Sequence, residues 1–459
     1  MEVKEYINSL MEKAKAAQAI FEGYNQEQVD RVVRAIGLAS YNAADELCAE
    51  AIEETKKGRL DSKIMKHRRT ALNSWFTCKG KKSVGMIEWD PVGRVAVYGK
   101  PAGIVACVTP TTNPTSTPVH NAMHSLKARN AVIVAAHPGA KKSTFHSVQV
   151  MRDALAAEGA PVDLIQAIEP EYLSLEATQY LMSSANVVIA TGGAGMVRAA
   201  YSSGKPAFGV GQGNVQDFIG EDWQDYAQLA ELIVGNRTYD YGMPCTCDQH
   251  VHVPASKFDL LVEELTKRGG FLITDEGDIQ KLREALFDAK GVIMRDCVGV
   301  SAAYIANKAG IEIPKDTVML MVETSKYAYD ELLAKEIMAP LVRLRRYTDI
   351  KDAVRVGKAN YLMEGAGHSG AVFSNDQEVI DMIALEIPTC RLMVNQTANA
   401  GTGGPYNNGL PHTVSLGCGF WGGNSISENL TFKNLMNYTR VSYIIPDAHM
   451  YTPEEIWGE

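Results

Sequence analysis

Residues 103–109 read GIVACVT, and similar apolar runs follow at 131–136 (AVIVAA), 163–168 (DLIQAI) and 186–190 (NVVIA). Each run is short and rich in β-branched or small apolar residues, and helix-like stretches such as 144–157 lie between them. Apolar runs that alternate with helical stretches are typical of parallel strands joined by crossover helices. The sequence therefore predicts an α/β fold with a parallel sheet in this region.

The same alternation continues downstream of residue 245. The further strand-like runs lie at 271–274, 291–294, 317–322, 339–344 and 391–395. The first 60 residues instead repeat apolar side chains at three- and four-residue spacing, which predicts amphipathic helices. A chain of 459 residues is long enough for more than one domain. We therefore expect two α/β units preceded by helices.

Residues 82–99 interrupt this pattern. The DPVG segment at 90–93 is a turn signal, and apolar residues alternate on both sides of it. Two alternating runs around such a turn predict a β-hairpin. A hairpin outside the main alternation is a candidate arm for oligomerisation.

Composition excludes several classes of protein. The formal net charge is −9, so the chain has no global field that would attract nucleic acid. The basic segment KHRR at 66–69 is a possible anion contact, although a solvated helix face is the more common explanation. No apolar run approaches the roughly 20 residues that span a membrane, so we expect no membrane partner. The N-terminus has no basic region followed by an apolar stretch, which predicts no signal peptide and a cytoplasmic protein.

The eight cysteines are scattered along the chain without the regular spacing of a disulfide scaffold. Cys245 follows a glycine and a proline in YDYGMPCTCD (239–248), which predicts a loop where a thiol can react. The Cys245–Cys247 pair is also half of a zinc motif, but no second pair has the matching spacing, so we expect no metal. A disulfide between two such close cysteines would be strained. A single reactive cysteine is the better hypothesis.

Two further segments are candidates for ligand binding. The TGGAG turn at 191–195 follows a strand and precedes a helix, an arrangement that suits the phosphates of a nucleotide. Its spacing departs from GxGxxG, so an ordinary structural turn is the alternative. Asn113 follows the strand at 103–109, and its side-chain amide could donate to a developing oxyanion. An Asn before a proline is also a common turn residue.

Taken together, five segments resemble the coenzyme A-acylating aldehyde dehydrogenases. They are PAGIVACVTPTTNPTSTP (101–118), VVIATGGAGMVRAAYSSGKPAFGVGQGN (187–214), YDYGMPCTCDQ (239–249), EGAGHSG (364–370) and LGCGFWGGNSISENL (416–430). The resemblance implies the aldehyde dehydrogenase fold. Residues 1–81 and 103–240 would form a Rossmann-like cofactor-binding domain, 241–429 an α/β catalytic domain, and 82–102 with 430–459 the oligomerisation elements of a homodimer or larger homo-oligomer.

The resemblance also assigns roles to individual residues. It implies that Cys245 rather than Cys247 is the nucleophile, that Asn113 holds the oxyanion, and that His368 is a possible catalytic residue. NAD or NADP is the implied cofactor. The residues implied for cofactor binding are Thr109, Pro110, Thr111, His137, Pro138, Gly192, Gly193, Gly211 and Glu336.

One departure from the hydrolytic aldehyde dehydrogenases indicates the acceptor of the acyl group. Those enzymes carry a water-activating glutamate where this chain has Val210. Without that base, a thioester on the cysteine should persist until coenzyme A attacks it. A hydrolytic enzyme that releases free acid is the first alternative, and a catalytically inactive binding subunit is the second.

The identity of the aldehyde is less constrained. Lys66, Thr246 and Arg391 match positions that hold an anionic tail in related enzymes of succinic semialdehyde. Because Lys66 and Arg391 fit acetaldehyde enzymes as well, these positions alone do not decide the substrate. The segments EEIWG (454–458) and NNG (407–409) resemble the stand-alone enzymes more than the bifunctional ones, and the resemblance therefore favours a small anionic aldehyde, sulfoacetaldehyde or succinic semialdehyde. Acetaldehyde or another neutral short-chain aldehyde is the alternative.

Overall fold

The computed structural model describes residues 2–458, which form three sheets and the helices around them. The strands are β1 Gly85–Asp90, β2 Val95–Pro101, β3 Ile104–Val108, β4 Ala131–Ala135, β5 Ile165–Ala167, β6 Val187–Thr191, β7 Ala207–Val210, β8 Val215–Ile219, β9 Asp248–Pro254, β10 Gly270–Ile273, β11 Met319–Glu323, β12 Leu341–Tyr347, β13 Gly370–Phe373, β14 Leu392–Val394 and β15 Met436–Ser442.

The helices surround these sheets, and short 3₁₀ turns join several of them. In chain order they are α1 Val3–Glu22, α2 Gln26–Asn42, α3 Ala44–Thr55, α4 Leu60–Cys78, α5 Ser116–Lys127, α6 Lys141–Ala157, α7 Leu175–Ser184, α8 Ala194–Tyr201, α9 Tyr226–Thr238, α10 Phe258–Lys267, α11 Glu276–Leu286, α12 Ala302–Ala309, α13 Ile350–Met363, α14 Gln377–Glu386, α15 Ala398–Gly401 and α16 Pro453–Trp457. No helix within residues 2–458 combines the length and the apolar character that crossing a bilayer requires.

The first sheet has the order β5-β4-β3-β6-β7 and is parallel throughout. Its central strands β3 and β4 are buried at every position, as expected for a parallel sheet covered on both faces. The apolar stripe of α2 packs against this core, with Val29, Val32 and Val33 fully buried. The predicted α/β unit and the predicted N-terminal helices are both present.

The second sheet has seven strands in the order β10-β11-β12-β9-β8-β13-β14, also parallel. Strand β8 belongs to this sheet because it pairs with β9 and β13. The chain therefore changes sheet between Val210 and Val215, upstream of the boundary predicted at 240/241. The helix α9 likewise contributes to the core of the second sheet.

One predicted strand is wrong. Residues 291–294 form a single bridge, between Phe287 and Ile293, and no strand. The cause is a tight turn in which the Asp288 carboxylate accepts from the backbone N–H groups of Lys290 and Val292. That turn leaves Val292 57% exposed instead of buried in the sheet.

The third sheet is small and has the order β1-β2-β15. Strands β1 and β2 form the predicted antiparallel hairpin, and β15 adds to the other side of β2. Large apolar side chains on and near this sheet are exposed, among them Trp89, Val92 and Ile444. The sheet thus presents an apolar surface away from both cores.

Candidate active site

The two large sheets meet at a cleft of ≈ 490 Å³. It lies beyond the carboxyl ends of β3, β4 and β6, where open α/β sheets usually bind ligands. Every residue predicted for cofactor binding lines it: Thr109, Pro110, Thr111, His137, Pro138, Gly192, Gly193, Gly211 and Glu336. Cys245 and Asn113 line the same cleft. Residues that are up to 227 positions apart in sequence are therefore brought together at one site.

The cleft suits a dinucleotide. Helix α8 starts directly after Gly193, so its first backbone N–H groups lie at the cleft wall. The hydroxyls of Thr109 and Thr191 and the Asn113 Oδ1 are buried and have no hydrogen-bond partner among residues 2–458. Buried polar atoms are rarely left without partners, so unpaired hydroxyls along a cleft are suited to ligand contacts. The hydrogen-bonding groups along the cleft and the size of the cleft suit a nicotinamide dinucleotide.

The loop that leads to Cys245 is held in an unusual conformation. Asp240 and Tyr241 have φ of 49° and 54°, in the left-handed region that residues other than glycine seldom adopt. The Asp240 carboxylate fixes this turn by accepting from Lys66 Nζ at 2.7 Å, Lys63 Nζ at 3.4 Å and the Arg59 backbone N–H at 2.9 Å. Burial alone would raise the pKa of Asp240, but Lys66 and Lys63 hold it below its usual value.

A second loop presses against Cys245 from the other side. A Cβ added to Gly213 would lie 1.8 Å from the Cys245 carbonyl oxygen, so only glycine fits there. Cys245 itself is half-buried at the cleft, whereas the Cys247 side chain is buried and lies 3.4 Å from the Asn236 carbonyl oxygen. Of the two thiols, Cys245 is the one that a ligand can reach.

His368 lies against the Cys245 thiol. Its Nε2 is 3.2 Å from Cys245 Sγ, and its Nδ1 is 3.0 Å from the Ser369 hydroxyl. With Nδ1 donating to Ser369, Nε2 presents a lone pair to the thiol. The imidazole is therefore placed to accept the Cys245 proton.

Burial sets the charge states of this pair. It lowers the pKa of His368 to about 3, with the nearby Arg391 guanidinium adding to the effect, so the imidazole is neutral at physiological pH. Burial and the Glu336 carboxylate raise the pKa of Cys245 to about 12. The free thiol therefore needs a base for activation, and His368 is in contact with it.

Glu336 lies at the cleft beside a second carboxylate. Its Oε1 accepts from the Gly213 backbone N–H at 3.0 Å, and the Glu336 backbone N–H donates to Glu364 Oε2 at 2.6 Å. Burial raises the pKa of Glu336 to about 8, and the neighbouring Glu364 carboxylate adds to the rise. Glu364 and Gln212, which donates to it at 3.2 Å, lie in the quoted segments 364–370 and 187–214, but no role had been predicted for either side chain.

A smaller cavity of ≈ 140 Å³ is also lined by Cys245. Lys66 and Thr246, two of the three residues predicted to hold a substrate tail, line this cavity with Asn113 and Cys245. The Thr246 hydroxyl donates to Asn399 Oδ1 at 2.8 Å. Arg69, from the basic segment 66–69 considered as a possible anion contact, and Tyr239, from the cysteine segment 239–249, also line it. Lining residues that sequence reasoning missed are Asn399, His412 and Thr413.

The third predicted tail residue, Arg391, lies elsewhere. Its side chain is buried behind His368 and is not part of the cavity wall. The guanidinium donates to backbone carbonyls, including His368 O at 3.0 Å and Gly417 O, because buried carbonyls surround it on several sides. The prediction that Arg391 holds a substrate tail is therefore corrected to a structural position beneath His368.

No group of three or more potential metal ligands is present within residues 2–458. His250 and His252, which follow Cys247 closely in sequence, point into the buried interior of β9. Their Nε2 atoms lie 2.9 Å from Asn214 Oδ1 and 3.1 Å from Gln216 Oε1. These imidazoles are therefore part of the buried polar packing of the second sheet.

Comparison with known proteins places this geometry in a family. A sequence profile described as "Aldehyde dehydrogenase family" matches residues 2–409. A succinate-semialdehyde dehydrogenase (acetylating) from Clostridium kluyveri is 42% identical, over 98% of this chain and 99% of the relative. A sulfoacetaldehyde dehydrogenase from an Acholeplasma species is 40% identical, over 99% and 94% respectively.

A solved structure is also similar along nearly the whole chain. It is a propionaldehyde dehydrogenase from Rhodopseudomonas palustris with bound coenzyme A and an acylated cysteine. The TM-score is 0.85 at 25% identity, with 95% of this chain and 97% of that chain covered. The likeness therefore extends over both large sheets.

Proposed function

The chain belongs to the aldehyde dehydrogenase family, and we propose that it is a coenzyme A-acylating member that converts a small anionic aldehyde to its acyl-CoA thioester. The observation that carries this proposal is the Cys245 thiol in contact with the His368 imidazole at the junction of two cavities. The cleft on one side fits a nicotinamide dinucleotide and the cavity on the other fits a small aldehyde. Relatives at 42% and 40% identity act on succinic semialdehyde and sulfoacetaldehyde by their names.

In the proposed mechanism, His368 Nε2 accepts the Cys245 proton as the thiolate attacks the aldehyde carbonyl. The Asn113 side-chain amide and the Cys245 backbone N–H donate to the oxyanion, and each such donor lowers the barrier by about 3–4 kcal/mol. NAD or NADP bound in the cleft would supply the hydride acceptor for the oxidation step. Glu336 would hold the nicotinamide ribose, and the glycine turn at Gly192 and Gly193 would hold the phosphates.

The acyl group is then a thioester on Cys245. Val210 lines the cleft where hydrolytic relatives carry their water-activating glutamate. His368 is the base nearest the thioester. In this proposal it first releases the Cys245 proton to solvent, then accepts the proton of the coenzyme A thiol as that sulfur attacks, and returns this proton to the Cys245 sulfur as it leaves. Release of acyl-CoA leaves Cys245 free, and every step is reversible in principle.

The hydrolytic alternative uses the same base on a different nucleophile. If His368 activated water, the product would be a free acid and coenzyme A would be dispensable. Relatives whose names include "acetylating" or whose solved structure holds coenzyme A support the thiol as acceptor.

Substitution of the two neighbouring cysteines tests the assignment of the nucleophile. We expect Cys245→Ala to abolish coenzyme A-dependent reduction of NAD or NADP while the dinucleotide Kd stays within about twofold. Cys247→Ser is the matched control, because that buried side chain lies away from both cavities, and it should retain most of the activity. Residual turnover of Cys245→Ala above about 1% of the unmodified enzyme would exclude Cys245 as the nucleophile.

We also propose that the enzyme is a cytoplasmic homo-oligomer assembled through the β1-β2-β15 sheet. Exposed apolar side chains on this sheet and the tail after it support the proposal, among them Trp89, Val92, Ile444 and Trp457. Deletion of residues 443–459 should lower the mass that sedimentation reports, because much of that apolar surface is removed. An unchanged oligomer mass would show that the tail is not part of the interface.

A further inference from the structure

The wall of the smaller cavity carries cationic side chains from one face of α4. Lys66, Arg69 and Thr70 line it at the three- and four-residue spacing that places side chains on the same side of a helix. This face lies across the cavity from the loop that carries Cys245. Two positive charges therefore lie beside the place where a bound aldehyde would extend away from the thiol.

The Lys66 ammonium group already forms an ion pair within the protein. Its Nζ lies 2.7 Å from Asp240 Oδ2, and its side chain is only 17% exposed. Lys63 shares the same carboxylate oxygen and is 4% exposed. The Lys66–Asp240 pair holds the strained turn before Cys245, so Lys66 has a structural task that leaves little freedom to follow a ligand.

Arg69 differs from Lys66 in this respect. The residue is exposed, and no hydrogen bond or ion pair within residues 2–458 involves its guanidinium. Its charge acts on two other residues of the cavity wall. Burial is the main reason that the pKa of His412 falls to about 3, and the Arg69 charge adds to that fall. The same charge opposes the rise in pKa that burial causes at Tyr239. The guanidinium is thus close to the cavity and has no protein partner.

The cavity limits the length of the aldehyde. Its volume of ≈ 140 Å³ is similar to that of an engineered cavity of about 150 Å³ that accommodates benzene. Succinic semialdehyde and sulfoacetaldehyde each have seven non-hydrogen atoms, which is close to that size. Each also has a carboxylate or a sulfonate at the far end, and both groups accept two parallel hydrogen bonds from a guanidinium.

We infer that Arg69 binds the anionic tail of the aldehyde substrate and thereby determines the preference for carboxylate- or sulfonate-bearing aldehydes over neutral ones. The inference deepens the proposed function and rests on it for the position of the aldehyde group at Cys245. It replaces Arg391, which lies buried beneath His368, as the arginine that recognises the tail. Lys66 and Lys63 share the single Asp240 carboxylate, so this cluster keeps one net positive charge near the cavity.

The test compares Arg69→Met with Arg68→Met. Arg68 is the neighbouring cation on α4 and pairs with Asp45 outside the smaller cavity, so both variants lose one positive charge from the same helix. Arg69→Met should lower kcat/KM for succinic semialdehyde or sulfoacetaldehyde by about 10- to 100-fold, mainly through KM, because a bidentate charged contact is lost. Turnover of propanal should be unchanged or improved. Arg68→Met should alter neither substrate by more than about twofold.

Equal losses in the two variants, or a loss for propanal that matches the loss for the anionic aldehydes, would overturn the assignment of Arg69. Equal kcat/KM for anionic and neutral aldehydes in the unmodified enzyme would overturn it as well. Either result would leave coenzyme A-dependent acyl transfer intact, and only the second would also overturn the anionic aldehyde as the proposed substrate.

A binding measurement tests the role of Arg69 independently of acyl transfer to coenzyme A. Succinate has two carboxylates and no aldehyde, and in the unmodified enzyme it should protect Cys245 from alkylation by iodoacetamide. Protection should be lost in Arg69→Met and retained in Arg68→Met, whatever the enzyme does with coenzyme A. Equal protection in both variants would contradict the role of Arg69 even if acyl transfer were demonstrated.

Discussion

The Cys245 thiol is a weak nucleophile without assistance, since burial raises its pKa to about 12. The thiolate is the reactive form of a cysteine, and with this pKa almost none of the Cys245 side chain would be thiolate at pH 7. Contact with the His368 Nε2 at 3.2 Å changes this, because the proton can move to the imidazole as the carbon–sulfur bond forms. Activation is thus coupled to attack and does not require a resident thiolate. A thiol that stays protonated between turnovers is also less readily oxidised than a thiolate.

Removal of the base should therefore slow the reaction at every ordinary pH. We expect His368→Ala to lower kcat by about 10²- to 10³-fold, the usual contribution of a general base. Since burial lowers the pKa of His368 to about 3, the imidazole is neutral throughout pH 6–9, and the fold-loss should be constant over that range. Single-turnover rates of dinucleotide reduction at several pH values measure it. His146→Ala is the control, because that imidazole pairs with Glu50 away from both cavities.

The same shift has a consequence for stability. The pKa of His368 in the folded protein is below its ordinary value of 6.5, so between pH 6.5 and about 3 the unfolded chain binds the additional proton. The contribution of His368 to stability is fully present above pH 6.5 and is lost as the pH falls towards 3. His368→Ala should therefore flatten the dependence of the free energy of unfolding on pH in that window. A kcat within threefold of the unmodified enzyme, or a fold-loss that changes between pH 6 and 9, would contradict the role of His368.

Two loops control the site at the level of elements. The segment between β7 and β8 crosses from the first sheet to the second, and the segment between α9 and β9 carries Cys245. They touch where Gly213 faces the Cys245 carbonyl, and Gly213 also donates its backbone N–H to Glu336. The nucleophile and the carboxylate at the dinucleotide cleft are therefore positioned by one backbone contact.

A methyl group at that contact should disturb both residues. A Cβ on Gly213 would lie 1.8 Å from the Cys245 oxygen, so Gly213→Ala must displace one loop. We expect kcat to fall at least 100-fold, because a shift of about 1 Å at reacting groups has that effect. Gly235→Ala is the matched control, since no atom lies within 4 Å of its added Cβ inside α9. That variant should keep its activity and gain about 0.5–1 kcal/mol of stability. Near-normal kcat in Gly213→Ala would show that the loops are not coupled.

The elements that the sequence predicted well are those whose apolar pattern is strong. The runs at 103–109 and 131–136 are buried strands of the first sheet, and the turn signal at 90–93 closes a true hairpin. Strand β8 escaped notice because it reads VQDFI, with Gln216 and Asp217 buried in the interior. Polar residues in a buried strand hide the apolar pattern by which strands are recognised. Because β8 was not recognised, the boundary between the two units was predicted at 240/241, downstream of the point where the chain changes sheet. At 291–294 the error was the reverse, because an apolar run that predicted a strand forms part of a turn.

At the scale of the whole molecule, the site exists only where the two large sheets meet. Asn113 and Gly192 come from the first sheet, Cys245, Glu336 and His368 from the second. Spacing along the chain could not bring these residues together, and they were identified as a set through resemblance to a family. The same resemblance misplaced Arg391, because sequence position alone does not reveal which way a buried guanidinium points. Arg69 was visible only as part of a basic helix face.

The order of the proposed steps follows from the position of Cys245 at the two cavities. Cys245 lines both the smaller cavity and the dinucleotide cleft. An acyl group formed on that sulfur is therefore open to attack from the cleft side once the reduced dinucleotide has left. The central claim is that this acyl group waits on Cys245 for coenzyme A and is not taken by water.

A burst measurement without coenzyme A tests that claim most directly. The enzyme is mixed with NAD or NADP and succinic semialdehyde, and dinucleotide reduction is followed. The masses of the intact protein and of its peptides are then measured by mass spectrometry. We expect about one reduced dinucleotide per Cys245, a mass increase of one acyl group on the peptide that contains Cys245, and steady turnover to acyl-CoA once coenzyme A is added. Continuous turnover to free succinate without coenzyme A, with no acylated Cys245 detected, would contradict it.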